Sequence, residues 1–238
     1  MMKLLVFDLD GTLTKTNAVD EECFVQAFAD VFSIRDVNTR WSEYDHVTDV
    51  GVLQQVFQNT FSRLPQRHEI VRFAECFAGL LDDRHSAGLD VFDQIPGAAS
   101  LLLNLTGHSE WRVAIATGCL EVSAKVKIRA SLLPANDIPA AFAEDGPSRE
   151  AIVRTAVGRA KRCYQQSEFE RVVSVGDAAW DVRAAQRLEL PFVGVGDGDN
   201  AALLRNSGAR AVIGNFLNYE QCIGCFERAE VPMMQGSA

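Results

Sequence analysis

The stretch Lys3-Leu4-Leu5-Val6-Phe7-Asp8-Leu9-Asp10-Gly11-Thr12 decides how this chain is read. A short apolar run goes straight into two carboxylates and a Gly-Thr turn, the pattern of a strand buried on both faces whose carboxyl end is kept for chemistry. Alternation along a strand sends Asp8 and Asp10 to the same side just beyond it. Two carboxylates so close do not both ionise cheaply, so the pair implies a cation or a shared proton. A calcium loop starting at Asp8 fails in detail: Leu13 stands where Gly is needed and Val19 where a bidentate Glu is needed.

Working outward, Arg112 to Ala116, Val172 to Val175 and Phe192 to Val195 repeat the short, β-branched, apolar pattern, and Arg210 to Ile213 offers an edge strand. Helical spacing fills the intervals at Glu121 to Leu133, Arg149 to Tyr164 and Trp180 to Leu190. Strand alternating with helix predicts an α/β fold, a doubly wound, Rossmann-like parallel sheet whose ligands gather at the strands' carboxyl ends.

One segment breaks the rhythm. Between Thr16 and Ile95 no buried strand is evident, whereas Glu21 to Phe32, Val50 to Phe61 and His68 to Leu81 recur at three and four residues. The expected division is a core of residues 1–15 and 96–238 with an inserted α-helical cap of residues 16–95. Pro96-Gly97 and a helix from Ala98 to Leu105 return the chain to the sheet, so the insert leaves and rejoins near the first strand's carboxyl end and covers the site.

Two further strand ends carry polar groups. Gly176-Asp177, with Asp181 four residues on, places a second acidic pair where a strand gives way to a helix; hard oxygen ligands of this kind suit Mg²⁺. Asp181 alone would read as a helix cap. Thr117-Gly118 offers a hydroxyl and free backbone N–H groups to phosphate oxygens ahead of a helix N-terminus. A cation should balance a transferring phosphoryl group, and Arg149, opening a helix, is the first choice. Lys125 and Lys127 compete, although helix-face lysines are usually solvated.

Composition excludes several classes. With 238 residues and 47% apolar content the chain can bury a core, and a formal charge of -9 without a basic patch argues against nucleic acid or an anionic membrane as partner. No apolar run approaches the roughly 18 residues of a membrane span, and no signal peptide opens the chain, so a cytoplasmic protein is expected. Six scattered cysteines suit free thiols, and Cys222 and Cys225 read as half-buried thiols on the last helix. The tail from Val231 to Ala238 is given no role.

Taken in order, Asp8-Leu9-Asp10-Gly11-Thr12, Thr117-Gly118 and Gly176-Asp177 with Asp181 resemble the haloacid dehalogenase-like hydrolase superfamily over nearly the whole chain. The outline is most similar to its phosphoglycolate phosphatase-like members, which insert a helical cap after the first motif. The resemblance implies a Mg²⁺-dependent phosphatase of a small phosphorylated metabolite. Asp8 would form an aspartyl-phosphate, and Asp10 would protonate the leaving oxygen and later deprotonate water. Gly11, Thr12, Thr117 and Gly118 would hold phosphate. Asp8, Asp177 and the Asp10 carbonyl would bind the metal, with Asp181 as ligand or support. Where the family usually has Lys, Arg149 stands best placed.

Rival readings divide on single residues. Dehalogenases of the superfamily lack an acid at the position of Asp10. Phosphonatase-like members need a cap lysine, and no Lys lies between Lys15 and Lys125. Phosphosugar mutases share every motif, and a non-catalytic phosphate-binding module would not need all four acids. Selectivity is expected in the cap, where Arg35, Arg40, His46, Thr48, Asp49, Arg63, Arg67 and Arg72 suggest a substrate with a second anionic group. Monomer and homodimer both stay open.

Overall fold

A computed structural model describes residues 2–108 and 110–233; of the tail, residues 234–238 lie outside the described residues. Its centre is a six-stranded, all-parallel sheet in the order β3-β2-β1-β4-β5-β6. The strands are β1 (Lys3–Phe7), β2 (Trp111–Ala116), β3 (Ala140–Ala141), β4 (Arg171–Gly176), β5 (Phe192–Val195) and β6 (Ala211–Ile213). Helices α1 (Asn17–Phe32), α2 (Asp49–Phe61) and α3 (Arg67–Ser86) form the insert, and α4 (Ala98–His108) leads into β2. The rest alternate with strands: α5 (Glu121–Ala130), α6 (Arg149–Cys163), α7 (Ala179–Leu188), α8 (Gly198–Asn206) and α9 (Tyr219–Arg228).

Alternation along β1 builds both faces of the sheet. Leu5 and Phe7 face one apolar core, shared with Leu101 of α4, Ile128 of α5 and Phe226 of α9. Leu4 and Val6 face the other, against Ile152 and Ala156 of α6. Burial on both sides explains why these strands read as continuous apolar runs. The predicted strands are all present, but β3 and α8 were not foreseen. A two-residue strand is too short to show a period, and α8 is short and weakly patterned.

Register then fixes the site. Phe7 pairs with Ile115 on one side and Val175 on the other, so β1, β2 and β4 end level. The next residues, Asp8, Thr117 and Asp177, therefore leave the sheet together. The order of connections reverses beside β1, the position where ligands bind in such sheets.

The insert has its own apolar centre, rich in phenylalanine. Phe24, Phe28, Phe57, Phe73 and Phe77 are all buried, with Phe24 edge-on to Phe73 at 5.1 Å between ring centroids. Its chain crossings lie side by side, where Lys15 N–H donates to Asp93 O (2.8 Å) and Ile95 N–H to Leu13 O (2.9 Å). The insert is not a separate body, because Leu120 and Val126, from the N-terminal side of α5, belong to its cluster. No helix among the described residues is long and apolar enough to cross a membrane. All six cysteines are free.

Candidate active site

Asp8 extends β1 by one residue, its N–H donating to Val175 O at 2.9 Å, and its carboxylate is buried. Arg149 reaches it from the first turn of α6, which Ser148 caps by accepting from Ala151 N–H. Arg149 Nη1 donates to Asp8 Oδ1 at 2.7 Å and to Asp181 Oδ1 at 3.3 Å. Asp181 has two jobs: its Oδ2 accepts from Ala178 N–H at 3.2 Å, capping α7, while its Oδ1 faces the arginine. The helix-cap reading of Asp181 is thus what the side chain shows directly.

Asp177 completes a triad. One oxygen each from Asp8, Asp177 and Asp181 lies within 4.8 Å of the others. Thr12 Oγ1 (3.4 Å) and Asn17 Nδ2 (3.2 Å) donate to Asp177, so the Thr12 hydroxyl is turned to the acid. Gly11, at φ 74°, is required: a Cβ there would sit 1.9 Å from Asp177 Oδ2. Burial, opposed by Arg149, pushes Asp8 up to about 7, with Asp181 and Asp10 adding to the rise. Burial and the charges of Asp181 and Asp8 push Asp177 well above the usual carboxylate range. Three crowded acids with one arginine are short of positive charge, and their hard oxygens suit a divalent ion such as Mg²⁺.

The Asp10 carboxylate lies in a second nest. Its Oδ1 accepts from Thr16 Oγ1, and its Oδ2 accepts from Lys127 Nζ (2.6 Å) and Cys119 Sγ (2.7 Å). Lys127 Nζ also donates to Asp20 Oδ1 at 2.5 Å and contacts Cys119 Sγ at 3.0 Å. Burial raises the proton affinity of Asp10, but Lys127, Cys119 and Thr16 outweigh it and hold the acid below its ordinary value. For Lys127 burial works against the charge, and Asp10 and Asp20 overcome it, keeping the ammonium well above its usual range. Burial pushes Asp20 up to about 6 although Lys127 pulls the other way, and it pushes the Cys119 thiol well up.

The expectation of a solvated Lys127 is corrected here, since its side chain is fully buried. The spacing held the signal: Ser123, Ala124 and Ile128 are buried on the same helix, and Lys127 shares their face. Lys125 is the exposed one, paired with Glu121 at 2.6 Å. Asp20 and Cys119 were missed as site residues because neither directly follows a strand end.

Thr117 is buried and its Oγ1 accepts from Cys119 N–H at 3.2 Å, shaping the turn after β2. Gly118 lets the arginine in, because a Cβ would meet the Arg149 guanidinium at 2.8 Å. The insert docks on this turn. Asp49 N–H donates to Gly118 O (2.8 Å), Leu120 N–H donates to Asp49 Oδ2 (2.8 Å), and Arg149 Nε donates to Val47 O (3.0 Å).

A cavity of about 230 Å³ opens above Asp8, Asp10 and Arg149, roofed by the insert. Of the polar candidates proposed for the insert, Thr48 and Asp49 line it; His46 and the arginines do not. Arg63 is bound to Glu69 at 2.7 Å and Arg40 to Glu43 at 3.0 Å, both away from the cavity. The arginine-lined selectivity pocket is therefore corrected: Arg35, Arg40 and Arg63 lie in exposed loops and Arg67 and Arg72 on the exposed side of α3.

This fold and set of strand-end acids define a class of enzyme. The chain belongs to the haloacid dehalogenase-like hydrolases, whose family model matches residues 2–188. Among solved structures it is similar to a hydrolase from Pseudomonas syringae, at 21% identity over 95% of this chain and 99% of that one, with a TM-score of 0.67. CbbY from Rhodobacter sphaeroides, solved in complex with phosphate, is 20% identical over 91% and 95% of the two chains, with a TM-score of 0.66. A β-phosphoglucomutase from Clostridium difficile is 19% identical over 95% and 98%, also at 0.66. At these identities the likeness shows the fold. No curated protein matches the chain.

Proposed function

We propose that this hydrolase is a Mg²⁺-dependent phosphatase that removes the phosphoryl group from a small phosphate monoester through Asp8. The observation that carries this reading is the buried Asp8 carboxylate, 2.7 Å from Arg149 and clustered with Asp177 and Asp181 at the floor of a cavity roofed by the insert. Asp8, Asp177, Asp181 and the Asp10 main-chain carbonyl would hold Mg²⁺. When bound, it supplies positive charge to the phosphoryl oxygens and keeps Asp8 ionised.

An Asp8 oxygen attacks phosphorus, and the bond from phosphorus to the ester oxygen breaks. As the substrate binds, Asp10 takes up a proton from solvent, and it passes that proton to the ester oxygen. The present geometry holds Asp10 as a carboxylate, the state that later takes a proton from water. An arriving phosphate dianion raises its proton affinity by the Coulombic rule through which Lys127 lowers it. Water then attacks the phosphoryl group, Asp10 accepts its proton, and the bond to Asp8 breaks to free inorganic phosphate. Arg149 steadies the negative oxygens throughout, with the turn at Thr117 and Gly118 and the Gly11 and Thr12 turn beside it. The helical insert acts as the cap that keeps bulk water out.

The alternative is a phosphosugar mutase, favoured by the likeness to β-phosphoglucomutase. Release of inorganic phosphate separates the two. Wild-type protein with Mg²⁺ should free phosphate from an aryl phosphate, and Asp8→Asn should lower kcat by at least about 10³-fold with the fold intact by circular dichroism. Turnover in Asp8→Asn close to wild type would remove Asp8 as the nucleophile.

A further inference from the structure

The leaving-group end of the cavity carries a chemistry of its own. Beyond Asp8 and Arg149 its walls are Phe24, Trp41 and Val52 of the insert and Trp180 of α7, with the carboxylates of Asp20 and Glu21 between them. No Lys, Arg or His of the insert lines it among the described residues. Among the described residues Arg149 is the sole basic one in the lining, and it is already committed to Asp8 and Asp181. Lys127 is saturated beneath the floor by Asp10, Asp20 and Cys119.

The acids at this end are fixed in place and have capacity to spare. Glu21 Oε2 accepts from Trp41 Nε1 at 2.8 Å, which sets the indole against the cavity, and Trp41 lies edge-on to Phe24 at 5.9 Å. Lys127 takes one oxygen of Asp20. Among the described residues the protein makes no hydrogen bond to Glu21 Oε1 or Asp20 Oδ2, and no fully buried side-chain polar atom lacks a partner. These oxygens are therefore accessible to a donor, on residues that line the cavity.

We infer that the alcohol released by this enzyme carries no second anionic group, and that it presents an amine or hydroxyl donor to Glu21 and Asp20 beside Trp41 and Phe24. A second phosphate or a carboxylate would be set against these acids with no cation to receive it, a repulsion that an enclosed, poorly screened site amplifies. An ammonium group gains from the same acids and from the aromatic faces. Size restricts the choice further. At about 230 Å³ the cavity suits a small ester better than a drug-sized one.

This inference rests on the phosphatase reading, and one panel separates the two. Phosphate release with Mg²⁺ would be followed for an aryl phosphate, propyl phosphate, phosphoethanolamine and phosphoglycolate, the last three alike in size and differing in charge. The expected kcat/KM order is phosphoethanolamine, then propyl phosphate, then phosphoglycolate, with at least about tenfold between the first and last. Glu21→Gln should shrink that ratio severalfold. Turnover of the aryl ester with phosphoglycolate equal or preferred overturns this inference alone, as does an unchanged ratio in Glu21→Gln. If no ester in the panel is hydrolysed, the phosphatase reading falls and takes the inference with it.

Discussion

Lys127 and Arg149 each enter a nest of buried acids at the end of the sheet, and they balance it to different degrees. In one nest a single Nζ touches Asp10, Asp20 and Cys119 within 3.0 Å, so every member has a positive partner. In the other, Arg149 reaches Asp8 and Asp181, while the side chain of Asp177 is held by the neutral donors Thr12 and Asn17. Both groups have the spacing of a metal site. The difference teaches that spacing of acids does not by itself locate an exchangeable cation. What locates it is whether the chain has already supplied the charge.

The largest test of this contrast is Lys127→Met. Removing the built-in ammonium strands a buried carboxylate pair, and breaking such a cluster costs about 3–5 kcal/mol. Urea unfolding would measure it; a loss under about 1 kcal/mol would show that the Lys127 nest does not depend on its cation.

Next in size is the response to metal. Mg²⁺ at a hundred times its Kd should stabilise the protein by about 2.7 kcal/mol, seen as a rise in Tm. Asp177→Asn should erase most of that rise and Asp20→Asn should leave it. Equal losses in the two variants would merge the nests into one site.

The smallest effect is on pH dependence without metal. Asp8 is raised to about 7 and Asp20 to about 6 from an ordinary value of 3.8. The folded state therefore holds protons that the unfolded chain releases near pH 4, and the stability this confers is full below that pH. It is lost as pH rises through about 6 to 7, and Tm should fall between pH 5 and 8. Saturating Mg²⁺ should flatten the slope by taking the place of protons in the Asp8 nest. A profile that rises over this range would contradict the assignment.

The sheet and the four strand-end acids could be read from the sequence because each follows from a local rule. A buried strand is a continuous apolar run, and a polar residue directly after it must stand at the sheet's edge; Asp8, Asp177 and Thr117 all obey this. Arg149 was legible for a similar reason, since Ser148 marks where α6 begins. Lys127 was obscured by the general habit of lysines, and only the burial of Ser123, Ala124 and Ile128 around it overrides that habit. The cavity's walls were illegible on different grounds. Which side of α1 meets the sheet depends on how the insert sits on the core, so Glu21 and Trp41 carried no local mark, while the arginines drew notice by composition alone.

Helix α5 belongs to two masses at once. Leu120 and Val126 are packed with the insert, and Ala124 and Ile128 with the sheet. Opening the roof of the cavity would therefore disturb more than the paired crossings at Lys15 and Ile95: the seam along α5, where Leu120 and Val126 meet the insert, would have to slip or part as well.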